Sequence, residues 1–228
     1  MSRGSPDGPG TAGPGARAWV ARRAGAAGVL VEAADGKQAQ ALHAEVLRRR
    51  DEGSLPGAPG ADEVLEVVPA ARTVLVDGLA DPDAFAAALS SWEPAPPAPD
   101  AAGTVELPVR FDGPDLAEVA RLWGTSPEGV ARRLTATVFR VAFCGFAPGF
   151  GYLTGLPEEL DVPRRATPRP SVAAGSVGLA GPYAGVYPRA SPGGWQLVGR
   201  TDAVLWDTGR DPAALLSPGT AVRFTEQG

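Results

Sequence analysis

Apolar residues recur along this chain with two different periods, and the changes of period mark its predicted elements. From Val29 the run GVLVEA reads as a strand. In KQAQALHAEVLRRR the apolar positions Ala39, Leu42 and Val46 fall at helical spacing, which predicts a helix with His43 on its flank. DEVLEVVP and RTVLVDGL then read as two strands joined by a turn around Ala70. Asp81 is suited to cap a helix with Pro82 at its first position, and Phe85, Ala88, Leu89 and Trp92 supply the apolar face. The order β-α-β-β-α predicts a small two-layer α+β lobe, a helix pair packed on an antiparallel sheet.

Proline and glycine punctuate this pattern twice. Residues 1–16 have almost no apolar content and a glycine or proline at nearly every second place, so they read as a disordered tail unable to bury surface. EPAPPAPDAAG, residues 93–103, stops helix and strand alike and reads as a semi-rigid connector. The expected organisation is a lobe over 17–92, this linker, and a second domain over 104–228. That domain opens with the alternating strand TVELPVRF, followed by a helix over GPDLAEVARLWG and another begun by Ser126 and Pro127. Beyond the β-prone run TVFRVAFCGF come short strands separated by Gly/Pro turns, in SVAAGSVGLA, GVYP, GWQLVGR, AVLWD and TAVRFT. Such spacing predicts a closed or nearly closed β-barrel.

Composition narrows the chemistry. With 44% apolar and 21% charged residues the chain can build a core and keep a solvated surface. No apolar run approaches the ~20 residues of a membrane span, and MSRGSPDGPG lacks the apolar core of a signal peptide, so a cytoplasmic location is expected. A formal charge of −5 argues against a nucleic-acid partner. The single cysteine, Cys144, lies between phenylalanines and reads as a small core residue. One histidine rules out a His/Cys metal cluster of the zinc type, so no metal is expected on this chain alone. Neither Ser176 nor Ser191 sits in a GxSxG elbow, no GxxxxGK[ST] loop occurs, and GFGYLTG has the wrong spacing for a dinucleotide fingerprint.

The candidate chemistry is concentrated in residues 143–201. In PRRATPR, Arg164, Arg165 and Arg169 stand between prolines that fix the local backbone, and guanidinium forks match carboxylate or phosphate in paired hydrogen bonds. Ser176, between Gly175 and Val177, either lines an anion-binding concavity or marks a barrel corner. Trp195 and Gln196 are neighbours on a strand and point to opposite faces; Trp195 is assigned to the core, while Gln196 and Arg200 share a face as binding candidates. Phe146, Phe150 and Tyr152 are expected on an apolar loop, broken by Pro148 and Gly149, that wraps the barrel or docks a partner. No residue is assigned a catalytic role.

The runs GFAPGFGYL (145–153), PRRATPR (163–169), AGSVG (174–178), GVYP (185–188) and SPGGWQLVGRT (191–201), in that order, resemble the signature of the family of 5-oxoprolinase B subunits. That family also includes proteins called allophanate hydrolase subunit 1 and inhibitors of a sporulation kinase. The resemblance implies that the barrel is cyclophilin-like and that the chain is the B subunit of an ATP-dependent hydrolase opening 5-oxoproline to glutamate. It further implies a composite site shared with a C subunit, a third partner in the A subunit, and ATP with magnesium at the assembled complex. Two other readings follow from the same resemblance: a binding module that inhibits a histidine kinase, and half of a biotin-dependent urea or allophanate-type carboxyltransferase. The chain departs from the family pattern at Leu134, where a histidine is expected, and at Tyr183-Ala184, where a polar pair is usual.

Overall fold

The computed structural model describes residues 19–60, 63, 65–94 and 103–227. The tail expected at 1–16 lies outside the described residues, and so does the connector over 93–103 except at its ends. The first half begins with a strand that the periodicity did not reveal, β1 (Trp19–Ala24), paired antiparallel with β2 (Gly28–Ala33). β1 is an edge strand whose Arg22 and Arg23 interrupt any apolar alternation, although Trp19 and Ala21 do pack on the core. Helix α1 (Gly36–Asp51) starts where the Asp35 carboxylate accepts the Gln38 amide at 2.8 Å, meeting one orphan donor, while the Gln38 side chain reaches back past the cap to accept the Ala34 amide. Its last turn carries Arg48, Arg49 and Arg50, the sign that suits a helix C-terminus, with Arg48 and Arg50 paired to Glu52 and Asp51 at its end.

The hairpin of β3 (Glu66–Pro69) and β4 (Thr73–Asp77) turns at Ala70 as expected and completes an antiparallel sheet in the order β1-β2-β4-β3. Asp81 caps α2 (Pro82–Ala88) by accepting from the Asp83 and Ala84 amides at 3.1 and 2.9 Å. Both helices bury their apolar faces against Val29, Val31, Val74 and Val76, and Trp92 closes the cluster edge-on to Phe85.

The second half is a barrel with two helices at its flank. β5 (Thr104–Val109) leads to α3 (Leu116–Leu122) and α4 (Pro127–Ala136), the latter capped by Ser126 Oγ accepting from the Gly129 amide. The remaining strands are β6 (Phe139–Cys144), β7 (Gly151–Thr154), β8 (Arg169–Val172), β9 (Ser176–Ala180), β10 (Tyr183–Val186), β11 (Ser191–Gly193), β12 (Gln196–Arg200) and β13 (Ala221–Glu226). Among the described residues the main sheet runs β12-β9-β10-β7-β6-β13-β5, parallel only between β13 and β5. β8 and β11 form a separate two-stranded arm.

The two edges of the main sheet meet. Arg110, just past β5, and Arg200, at the end of β12, exchange backbone hydrogen bonds of 2.9 Å in both directions. The chain then continues along β12, with the Gly113 amide donating to Val198 O and the Asp115 amide to Leu197 O. This seam closes the barrel and sets the start of α3 beside β12. One buried cluster joins the strands to the helices, through Leu107, Val141, Leu179 and Phe224 on one side and Val119, Trp123, Val130 and Leu134 on the other. Leu134, where the resemblance led to a histidine, is fully buried in this cluster and serves packing.

Candidate functional site

Pro163 to Arg169 form the approach to the β8–β11 arm, and its first residues are tied down on both sides of Arg164. The Arg165 amide donates to Gly194 O at 2.8 Å, and Gln196 Nε2 donates to Pro163 O at 3.2 Å. Beneath the approach lies Asp115, 5% exposed, at the N-terminus of α3. Its Oδ1 accepts from Arg165 at 2.9 Å and from Arg169 at 2.7 Å, while Oδ2 accepts the Leu197 amide at 2.7 Å. Burial disfavours the charged carboxylate, but the hydrogen bonds from Arg169 and the Leu197 amide and the charges of Arg169 and Arg165 outweigh it, so the group titrates below the usual aspartate range.

Two of the three arginines expected to bind an external anion are therefore internal partners of Asp115. Arg164 is different. It is exposed, and among the described residues it has no ion pair or hydrogen bond. The approach, the arm and the barrel wall hold it over a cleft of about 120 Å³ lined by Phe146, Phe150, Tyr152, Tyr187 and the segment Pro192–Trp195. A broader groove on its other side is lined by Asp161, Val162, Pro163 and the turn from Ala180 to Tyr183.

The wall of the cleft is aromatic. Phe150 is its centre, with ring centroids 5.3 Å from Phe146, 5.0 Å from Tyr152, 5.5 Å from Tyr187 and 5.4 Å from Trp195. Tyr152 is backed by a stacked Phe143 at 4.3 Å, and Tyr183 meets both edge-on. All three tyrosines of the chain thus gather here. Burial pushes each phenol up; the Trp195 amide and the charge of Arg164 pull Tyr187 back in part, and Arg164 does the same for Tyr152. At neutral pH they are uncharged hydroxyls. A cation beside neutral hydroxyls and aromatic faces suits recognition of a small anion.

The structure corrects several sequence-based expectations. Phe150, expected on a partner-docking loop, is 2% exposed and belongs to the core, because the loop turns inward after Gly149. Tyr152 lies not on the loop but on β7, half-buried between rings. Only Phe146 of that trio is outward, 58% exposed and held at φ 68°, a left-handed conformation uncommon for a bulky residue. Ser176 marks a barrel corner: the Gly175 amide donates to Tyr187 O and the Ser176 amide to Ala173 O, leaving neither for an anion. A Cβ on Gly175, at φ +78°, would stand 2.2 Å from Thr201 O, so the glycine is required by the corner itself.

Gln196 and Arg200 do not share a face. A bulge between Leu197 and Gly199 shifts the register, so Gln196 is buried against Pro163 while Arg200 is exposed and paired with Asp112 at 2.7 Å. Trp195 is buried, as expected. Cys144 is half-buried, with its thiol on Leu216 O and its pKa pushed up by burial. His43 is held at about 4 by burial and the nearby Arg50, on the helix flank assigned to it. Sequence reasoning missed Asp115, whose only signal was an acidic residue just before an apolar helix, in GPDLAEVA, and it did not place Tyr187 or Trp195 in the wall of the cleft.

Comparison with known proteins places this arrangement in a family. A family model described as carboxyltransferase domain, subdomain C and D, matches residues 19–216. The chain belongs to this family. Within it, the chain is similar to proteins named as the B subunit of 5-oxoprolinase: 52% identical over 126 residues to that of Escherichia coli O157:H7, and 46% over 123 residues to that of Bacillus subtilis strain 168. These alignments span 54% and 53% of this chain but only 58% and 51% of the relatives, so the chain matches little more than half of their length. Among solved structures, TTHA0988 superposes with a TM-score of 0.68 at 33% identity over 88% of this chain and 40% of that one. The urea amidolyase of Kluyveromyces lactis, at 21% identity and a TM-score of 0.65, covers 92% of this chain and 15% of that one and shows the shared fold alone. The carboxyltransferase-like architecture accounts for the lobe and the barrel together.

Proposed function

We propose that this member of the carboxyltransferase C and D family is the B subunit of an ATP-dependent 5-oxoprolinase, which opens the lactam of 5-oxoproline to glutamate. The observation that carries the reading is 52% identity to a protein of that name, joined to a cleft where one exposed arginine faces aromatic rings. The C and A subunits of 5-oxoprolinase are the proposed partners, since a protein named as one lettered component of an enzyme belongs to an assembly.

The cleft does not fit ATP with magnesium. One guanidinium cannot balance a triphosphate, and a cleft of about 120 Å³ is well below the ~300 Å³ at which pockets for drug-sized ligands begin. The broader groove is roomier, but the charged residues that line it are Arg164 and Asp161, a cation and a carboxylate, which again leaves a triphosphate unbalanced; the nucleotide is assigned to the assembled complex, and no step through it is assigned to this chain. What this chain's residues supply is placement: Arg164 offers a fixed positive charge, half-buried Tyr152 offers a neutral hydroxyl, and the buried rings of Phe150, Tyr187 and Trp195 exclude water behind them.

Loss of the gene tests the function in the cell. A deletion strain is expected to accumulate 5-oxoproline and to fail to use it as a nitrogen source, with recovery on complementation. Unchanged consumption of 5-oxoproline would overturn the reading. Loss of growth on urea instead would favour the carboxyltransferase alternative, which the family description supports.

A further inference from the structure

We infer that the Arg164 cleft is a pocket for a small ring-bearing monocarboxylic acid, with the acid on the Arg164 guanidinium and the ring against Tyr152, Tyr187 and Trp195. The inference deepens the 5-oxoprolinase reading and rests on it for the identity of the acid, 5-oxoproline.

Charge is the first argument. Of the three arginines in the approach, two are neutralised by a buried carboxylate, and one faces outward without an ion pair or hydrogen bond among the described residues. A single guanidinium matches a single carboxylate in number and in fork geometry. Placement is the second. The residues on both sides of Arg164 are fastened to the segment that forms the opposite wall, Pro163 through Gln196 and Arg165 through Gly194. The cation is thus offered on a restrained backbone, which lowers the ordering cost of binding.

The cleft also fits in shape. A Cβ on Gly193 would come within 2.4 Å of the Tyr187 hydroxyl, so glycine lets that hydroxyl lie against the wall and leaves the cleft open. The space of about 120 Å³ suits a small ring and its substituent and excludes a nucleotide. Aromatic faces accept a planar amide ring, and the neutral hydroxyl of half-buried Tyr152 beside it can donate to a ring carbonyl. Phe146, exposed and held at positive φ, stands at the rim against Phe150 and Tyr187.

The test uses the full chain with three probes, followed by the ring resonances of its tyrosines and tryptophans: 5-oxoproline, 2-pyrrolidone, which keeps the lactam but lacks the acid, and acetate, which lacks the ring. 5-Oxoproline is expected to shift the resonances of Tyr152, Tyr187 and Trp195, and each truncated probe to bind at least about tenfold more weakly. R164Q is expected to weaken 5-oxoproline binding by about tenfold or more, with R164K intermediate, both at an unchanged melting temperature. In the enzyme assembled with its partners, R164Q should raise KM by a similar factor. Turnover of 5-oxoproline with a KM indifferent to R164Q would overturn the pocket and leave the enzyme reading standing. Arg164-dependent binding of ring acids by a chain whose assembly does not turn over 5-oxoproline would do the reverse. If no probe shifts these rings and R164Q weakens formation of the complex, the cleft receives a partner's carboxylate and the small-molecule pocket is refuted.

Discussion

Replacing Asp115 by alanine is expected to destabilise the barrel by about 3 kcal/mol or more, although the residue touches no substrate in this account. Removing one member of a buried, hydrogen-bonded ion pair costs about 3–5 kcal/mol, because the partners keep their charge and lose its counterpart. Here three groups lose the carboxylate at once: the Arg165 guanidinium, the Leu197 amide, and the Arg169 guanidinium, which keeps only Trp195 O at 3.5 Å. Arg165 keeps 36% and Arg169 21% of its side-chain exposure, so water moderates the loss and the lower end of that range applies. D115N, which keeps the shape and one acceptor, should lose less. The pH dependence has a fixed sign. The folded carboxyl titrates below its unfolded value, so its contribution is complete above the ordinary aspartate range and disappears as pH falls through the folded pKa. The gap in melting temperature between the native chain and D115A should therefore be widest at neutral pH and narrow in acid. A variant as stable as the native chain at pH 7 would remove Asp115 from this role.

Phe150→Ala carries the second large effect, about 3–5 kcal/mol, the usual cost of emptying a buried phenylalanine site. Its ring is 2% exposed and meets four others, so truncation opens a cavity beneath the cleft. Phe146→Ala, only a few residues away on the same loop, should change stability by about 0.5 kcal/mol or less, because the ring is 58% exposed. Urea denaturation of the two variants separates core from surface in one experiment. Equal and small effects would return Phe150 to the partner-facing position that the sequence pattern suggests.

Which features were legible in the sequence follows from how local their causes are. Helices α1, α2 and α4 were visible with their caps, because Asp35, Asp81 and Ser126 act within three residues of themselves. β1 was not, since an edge strand with two arginines shows no clean alternation, and β7 was hidden behind the turn at Pro148-Gly149. The arginine-rich approach stood out as a motif, yet nothing local distinguishes Arg164 from Arg165 and Arg169. That distinction is made by Asp115, about fifty residues earlier, which is brought beneath the approach only when the Arg110–Arg200 seam closes the barrel. The pairing of Gln196 with Arg200 failed for a comparable reason. A one-residue bulge on β12 cancels the period-two rule, and no side chain in QLVGR announces it.

The central claim, that this chain works as the B subunit of an ATP-dependent 5-oxoprolinase through its Arg164 cleft, is tested most directly by reconstitution. The purified chain is mixed with the candidate C and A subunits from the same genome, and glutamate formed from 5-oxoproline is measured with and without ATP. ATP-dependent glutamate is expected from the complete mixture, none from this chain alone, and a KM raised by about tenfold when R164Q replaces the native chain. Glutamate at the same rate from a mixture lacking this chain, or none from the complete mixture, would contradict it.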